Sequence, residues 1–168
     1  MRWSRATLFA LASLALGLLV SRAHAVEVIN GRCVAVLDGD SIRVLQGRDT
    51  IEIRLEGIDA PEHRQAYAER AKQSLSDLVY GKNVKVAGVS TDNFGRLLGR
   101  VFVAGLDVNL EMVRRGLAWH YKRYSKDAAL ADAESVARVR RAGLWADPEP
   151  VPPWSFRRGP QPPSPSPS

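Results

Sequence analysis

Three short segments in the first third of the chain alternate apolar and polar side chains with the period of a β-strand. They span residues 28–37, 41–45 and 50–55, are rich in Val and Ile, and are separated by Asp38-Gly39 and by residues 46–48, which favour turns. Successive side chains of a strand point to opposite faces, so each segment has an apolar face that must be buried. The pattern predicts a three-stranded meander.

The segments that follow the meander show both helical and strand spacing of apolar residues. The predicted elements are helices over residues 66–80, 109–115 and 127–142 and strands over residues 83–89 and 97–103. Three strands, one helix, two strands and further helices is the element order of a closed barrel with helical additions. We therefore predict a fold that is mainly β with α additions, a five-stranded OB-fold barrel with about three helices.

The first 25 residues have the features of a signal peptide. Arg2 and Arg5 precede an apolar run over residues 6–20, and Ala23-His24-Ala25 has the small-x-small form of a cleavage site. An uncleaved membrane anchor is the alternative, but the run is shorter than the roughly 18 residues needed to span a bilayer and Ser13 interrupts it. We expect cleavage after Ala25, export to the periplasm or the medium, and no stable membrane association afterwards.

The other end of the chain is rich in proline and serine. Proline removes backbone donors and the segment offers little apolar surface, so we predict an extended or disordered tail over residues 155–168. The predicted folded domain is residues 26–154, and we expect it to be a monomer. Cys33 is the only cysteine in the sequence, so no intramolecular disulfide can form and the fold must depend on its apolar core.

The net charge of the chain excludes few classes of function. Without Arg2, Arg5 and Arg22 of the signal peptide, the formal net charge falls from +6 to +3. This mild basic excess is compatible with weak attraction to polyanions, but the sequence contains no long basic run that would indicate a nucleic-acid-binding tail. A function must therefore be sought in particular residues.

Arg54, Asp59 and Glu62 lie close together where the third predicted strand ends, in the stretch "RLEGIDAPEH". Strand alternation places Arg54 on the face opposite the apolar residues, at the outer or open side of the barrel. One interpretation is a solvated face on which Arg54 pairs weakly with Glu52 and Glu56. In the same way, residues 59–62 could be only a turn that precedes a helix.

Asp40 and Asp59 lie next to the ends of adjacent predicted strands, so the meander can bring both carboxylates to one end of the barrel. Asp38-Gly39 is also a favoured hairpin turn, which would need no chemistry. The "LDGDS" stretch is not an EF-hand loop, because Ile42 and Arg43 stand where an oxygen ligand and a glycine are required. Ligation by oxygen alone favours calcium or magnesium, and the scarcity of His and Cys argues against zinc.

Three separated motifs carry a resemblance to a known family. "DGDS", "IRLEGIDAPE" and "TDNFGR" occur in that order, and together they resemble the thermonuclease family, the staphylococcal nuclease-like proteins, over about residues 26–145. The resemblance implies a five-stranded OB barrel with three helices and calcium-dependent cleavage of DNA and RNA at the 5′ P–O bond, leaving 3′-phosphates. The expected substrates are single-stranded or breathing regions of nucleic acid.

The resemblance also implies roles for individual residues. By resemblance, the carboxylates of Asp40 and Asp59 and the main-chain carbonyl of Ala60 are calcium ligands. The catalytic residues implied in the same way are Arg54, Glu62 and Arg96. Two arginines that present planar guanidiniums to phosphate oxygens agree with this chemistry.

The sequence departs from the family at two points. Ala60 stands where threonine is frequent, which a carbonyl ligand tolerates, and the loop after Glu62 is shorter than in the type member. Tyr121 and Tyr124 are candidate contacts to a base or sugar, whereas Trp119 is at least as compatible with packing between the barrel and the last helix.

The alternative function is an OB-fold module that binds nucleic acid or another polyanion without cutting it. A binding-only relative is expected to lack at least one of the five charged site residues. All of them are present: Asp40, Arg54, Asp59, Glu62 and Arg96.

Overall fold

A computed structural model describes residues 28–159. The predicted signal peptide and residues 160–168 of the predicted tail lie outside the described residues. Within the described residues, no helix has the length and apolar character needed to cross a membrane.

Eight strands and four α-helices make up the described part of the chain. The strands are β1 Val28–Val36, β2 Ser41–Gln46, β3 Asp49–Leu55, β4 Ile58–Asp59, β5 Asn83–Thr91, β6 Leu97–Val103, β7 Leu106–Asp107 and β8 Trp119–His120. The helices are α1 Ala68–Val79, α2 Val108–Arg114, α3 Ala128–Val139 and α4 Pro153–Phe156, with a 3-10 helix over Gly143–Ala146 between the last two.

Five of the strands close into a barrel. Hydrogen bonding follows the order β3, β2, β1, β5, β6, all antiparallel, and a parallel pairing of β3 with β6 joins the two ends of the sheet. In this closing pair Ile53 lies opposite Leu97, and Arg54 lies opposite Leu98. The predicted five-stranded OB-type barrel, mainly β with helical additions, is confirmed.

The core lies between the barrel and α1. Alternate residues of β2 and β3 point inward, and Ile42, Val44, Ile53 and Leu55 are fully buried. Helix α1 adds to the same core a stripe at helical spacing that consists of Ala71, Leu75, Leu78 and Val79. The free Cys33 is buried in this core, where it packs as a small apolar side chain.

A second cluster of buried apolar residues packs beside the barrel. Trp119 of β8 packs edge to face on Trp145 of the 3-10 helix, with 4.2 Å between ring centroids. β8 pairs in turn with β4, opposite Asp59, so this cluster supports the short strand that carries a candidate site residue. The packing interpretation of Trp119 agrees with this structure.

The predicted boundary at residue 155 differs from the structure. Residues 155 and 156 belong to α4, and Arg157 and Arg158 continue its hydrogen bonding to Pro153 and Ser155. Pro152 and Pro153 lie at the start of this helical turn, where a missing backbone N–H is tolerated. The proline-rich composition therefore gave no indication of this ordered helical turn.

Asn109 should be a stability determinant of the closed barrel. Its side chain accepts a hydrogen bond from the backbone N–H of Val101 at 3.0 Å and donates to the carbonyls of Glu56 at 2.9 Å and Gly99 at 3.3 Å. An Asn109→Ala substitution removes this partner from the Val101 N–H and the Glu56 carbonyl, while the Gly99 carbonyl keeps the N–H of Glu56, and should lower the free energy of unfolding by about 2–3 kcal/mol. An Asn93→Ala variant in an exposed turn is the control, and equal urea midpoints for the two would contradict the prediction.

Candidate active site

Arg54 joins two buried carboxylates at one end of the barrel. Its Nη1 donates to Oδ1 of Asp40 and its Nη2 to Oδ1 of Asp59, each at 2.6 Å. Asp40 is 2% exposed and Asp59 is fully buried. The structure thus brings together three residues assigned from the sequence, and all three lie in a largely water-excluded place.

Local backbone structure positions each carboxylate. Asp40 follows Gly39, where a Cβ atom would lie 2.7 Å from the Cβ atoms of Ala60 and Ala71, so the absence of a side chain allows the loop to pack against α1. The Oδ2 atom of Asp40 then accepts a 2.7 Å hydrogen bond from the N–H of Ala60. Asp59 is held by the pairing of β4 with β8.

The expected partners of Arg54 on a solvated face are not the ones observed. Glu52 instead lies near Arg43, with 3.6 Å between Nη2 and Oε2, and both side chains are about half exposed. The side chain of Arg54 is only 15% exposed and pairs with the two aspartates. The solvated ion-pair interpretation of Arg54 is therefore wrong.

Burial and charge shift the proton equilibria of this cluster in opposite directions. Burial raises the pKa of Asp40 to about 7, although the Arg54 guanidinium opposes the rise. For Arg54, burial alone lowers the pKa, but the charges of Asp40 and Asp59 outweigh it and the net pKa is raised. The guanidinium is therefore fixed in its charged form between the two acids.

The residues present suit a hard cation. Asp40 and Asp59 offer carboxylate oxygens within reach of one guanidinium, and the adjacent Ala60 offers a main-chain carbonyl, so the donor set is oxygen alone. Over residues 28–159, the structure contains no cluster of three or more His, Cys, Asp or Glu side chains arranged around a metal position. A cation would therefore require local rearrangement of the groups now paired with these oxygens.

Glu62 lies beside the cluster and is paired with a residue that the sequence analysis missed. Its carboxylate accepts a hydrogen bond from Arg157, which also donates to Asp59 Oδ2 at 2.8 Å and to Oδ1 at 3.2 Å. The hydrogen bonds to Asp59 and Glu62 raise the pKa of Arg157. Arg157 falls in the predicted tail, and the only sequence signal for it is the pair of aromatic residues, Trp154 and Phe156, just before it.

Arg96 is the one predicted catalytic residue that the described contacts do not join to this cluster. It lies after the turn between β5 and β6, where it donates to Asp92 through Nε at 2.8 Å and Nη2 at 2.7 Å. Its side chain is about half exposed and lies over the ring of Phe94, an aromatic residue that is itself exposed. Arg96 is thus presented on a projecting hairpin.

The candidate aromatic contacts follow β8, the strand that pairs with β4. Tyr121 and Tyr124 pack edge to face, with centroids 4.8 Å apart, and Tyr124 is largely exposed. Tyr121 also stacks in parallel on Trp154, at 5.2 Å and an interplanar angle of 3°. One face of Tyr121 is therefore covered by the chain's own α4.

A closed five-stranded barrel that carries paired aspartates and an arginine at one end defines this molecule as an OB-fold protein with an anionic, arginine-bridged site. Residues 52–147 match the family model described as staphylococcal nuclease homologue. The chain therefore belongs to the staphylococcal nuclease homologue family.

Curated relatives agree with this assignment. An uncharacterized endonuclease of Escherichia coli O157:H7 is 45% identical over 130 residues, which cover 77% of this chain and 85% of the relative. A micrococcal nuclease of Shigella flexneri is 41% identical over 139 residues, covering 76% of this chain and 80% of the relative. Protein ParB of Escherichia coli is 40% identical over 158 residues, covering 88% and 89%.

Removing the bridging arginine should destabilise the protein strongly. At pH 8, an Arg54→Met variant leaves Asp40 and Asp59 buried without the cation between them, and the free energy of unfolding should fall by about 3 kcal/mol or more. Arg43→Met on the neighbouring strand removes an exposed arginine and should cost less than about 1 kcal/mol. Similar urea midpoints for both variants would show that the Arg54 pairs are not structurally important.

Proposed function

We propose that this protein is a calcium-dependent nuclease that hydrolyses phosphodiester bonds of DNA and RNA at the 5′ P–O bond and leaves 3′-phosphates. The observation that carries the proposal is the Arg54 bridge between Asp40 and Asp59 in a chain of the staphylococcal nuclease homologue family. The nuclease names of its relatives support the same reaction class. We further propose that a signal peptide over residues 1–25 directs export of a monomeric enzyme to the periplasm or the medium.

The metal-holding groups in this proposal are the carboxylates of Asp40 and Asp59 and the carbonyl of Ala60. A bound calcium ion supplies positive charge to the phosphate and lowers the barrier to attack by water. Such an ion is compatible with the anionic character of the site, because Asp40, Asp59 and Glu62 carry more formal negative charge than Arg54 can neutralise.

The remaining groups act on the phosphate and on water. Arg54 and Arg96 bind phosphate oxygens through charged hydrogen bonds and stabilise the charge that develops during attack at phosphorus. Glu62 orients the attacking water or accepts its proton. The water oxygen forms the new bond to phosphorus as the bond to the 5′ oxygen breaks, so the 3′ oxygen keeps the phosphate and the 5′ oxygen leaves as a hydroxyl.

The proposed substrate range follows from what these groups contact. The metal-holding and catalytic residues address the metal and the phosphate and not a 2′-hydroxyl or the edge of a base, so both DNA and RNA should be substrates. Tyr121 and Tyr124 would contact a base or sugar, which requires an unstacked nucleotide and favours single-stranded or breathing regions.

Cleavage tests this proposal directly. The mature protein should nick plasmid DNA and degrade single-stranded RNA in calcium but not in chelator, and the products should accept a label at the 5′ end from polynucleotide kinase without phosphatase treatment. Products that need phosphatase first would place the broken bond elsewhere. Binding of both polymers without cleavage would identify the non-catalytic polyanion-binding module instead.

Arg96 should affect turnover and not folding. Because Arg96 acts on charge that develops in the transition state, Arg96→Ala should lower kcat by roughly two orders of magnitude while the circular dichroism spectrum is retained. Arg48→Ala removes another exposed turn arginine and should leave kcat near the wild-type value. If the two variants cleave equally well, Arg96 has no role in the reaction.

A further inference from the structure

Residues 151–158, which we term the C-terminal strap, contact the candidate active site at three places. Arg157 pairs with Asp59 and Glu62, Trp154 stacks on Tyr121, and the carbonyl of Val151 accepts a hydrogen bond from the side chain of Gln65. Gln65 also accepts a 3.0 Å hydrogen bond from the N–H of Glu62. The strap is thus attached to the same loop that carries Glu62.

Arg157 is bonded to the carboxylate oxygens of Asp59 that the proposed metal site requires. Its guanidinium takes both carboxylate oxygens of Asp59, and one of these is also bonded to Arg54. Arg157 and a metal ion compete for Asp59, because both draw on the lone pairs of the same two oxygens and their positive charges repel each other.

The charges of the site also indicate that Arg157 and a metal ion compete for the same carboxylates. When Asp40 is ionised, Asp40, Asp59 and Glu62 carry a formal charge of −3, and Arg54 with Arg157 carries +2, which leaves −1. Withdrawal of Arg157 leaves −2, the charge that one divalent cation neutralises. Arg157 therefore neutralises part of the negative charge that a bound metal ion would neutralise.

The contact of Trp154 covers the aromatic side of the site. Its indole ring is parallel to the ring of Tyr121 at 5.2 Å and packs edge to face on Trp119 at 5.5 Å. Stacking of a nucleotide base on Tyr121 requires a free ring face, and Trp154 covers one of the two. The strap thus blocks this face as well as the carboxylates, through residues three positions apart on one helical turn.

We propose that the C-terminal strap is an intramolecular plug that must leave before metal and nucleic acid bind. The plug rests on the proposed function, because it competes with the ligands of that same site. Trp154 and Arg157 lie beyond residues 52–147, the part of the chain that matches the family model.

Only moderate inhibition is expected from these contacts. The hydrogen bonds of Arg157 are charge-assisted and therefore strong, but its side chain is 39% exposed and solvent screens the pairs. If the closed form holds about nine-tenths of the molecules, the apparent Kd for calcium is about tenfold above that of the open form.

Calcium binding without nucleic acid tests the plug. By calorimetry, Arg157→Ala should bind calcium about tenfold more tightly than the wild type. The matched control is Arg158→Ala, which removes the same charge one residue later from a side chain that contacts Ser155 and not the carboxylates. Equal affinity in the wild type and Arg157→Ala, or an equal gain in both variants, would overturn the plug.

Hydrogen exchange provides a second readout that does not depend on activity. In the wild type, saturating calcium should speed amide exchange in residues 151–159, because the strap is released when the ion binds. Unchanged or slower exchange there with calcium bound would also overturn the plug.

The two proposals fail in different ways. If Arg157→Ala neither binds calcium nor cuts nucleic acid, the calcium-dependent function is wrong. If it binds calcium with wild-type affinity but cuts more slowly than Arg158→Ala, the function stands and Arg157 is a substrate-binding residue instead of a plug.

Discussion

The two charged hydrogen bonds of Arg54 are the constraint on which the site depends. A side chain on the closing strand of the barrel reaches one aspartate from the loop after β1 and another from β4, so the guanidinium fixes the relative position of three backbone segments. Buried ion pairs of this kind add little net stability compared with apolar packing, yet breaking one is costly. The cluster is therefore better explained by a need for fixed charges than by a need for stability.

Strand periodicity allowed most of the barrel to be predicted, because its strands are long enough for alternation to be visible. β4, β7 and β8 were missed, since two-residue strands carry no periodic signal. β4 and β8 nevertheless matter most to the site, because their pairing places Asp59. The strands that hold a functional group can thus be the ones that sequence periodicity does not reveal.

The candidate site was predictable to the extent that its residues lie in local motifs. Arg54 and Asp59 are five positions apart and Asp40 is fourteen positions from Arg54, so one meander brings them together. Arg157 is 98 positions from Asp59, and no local pattern links them. Its place in a proline-rich segment predicted disorder, whereas the prolines start a helical turn whose aromatic residue packs on the barrel.

The parallel pairing of β3 with β6 also governs the order in which the site can assemble. The contact of Arg54 with Asp40 lies within the first meander, whose short loops close at little entropic cost. The pairing of Ile53 with Leu97, and that of Asp59 with Trp119, instead requires distant segments to meet. Contacts across such separations slow folding, so we expect the first carboxylate and the arginine to meet early and the second carboxylate to reach its buried position only when β8 pairs with β4.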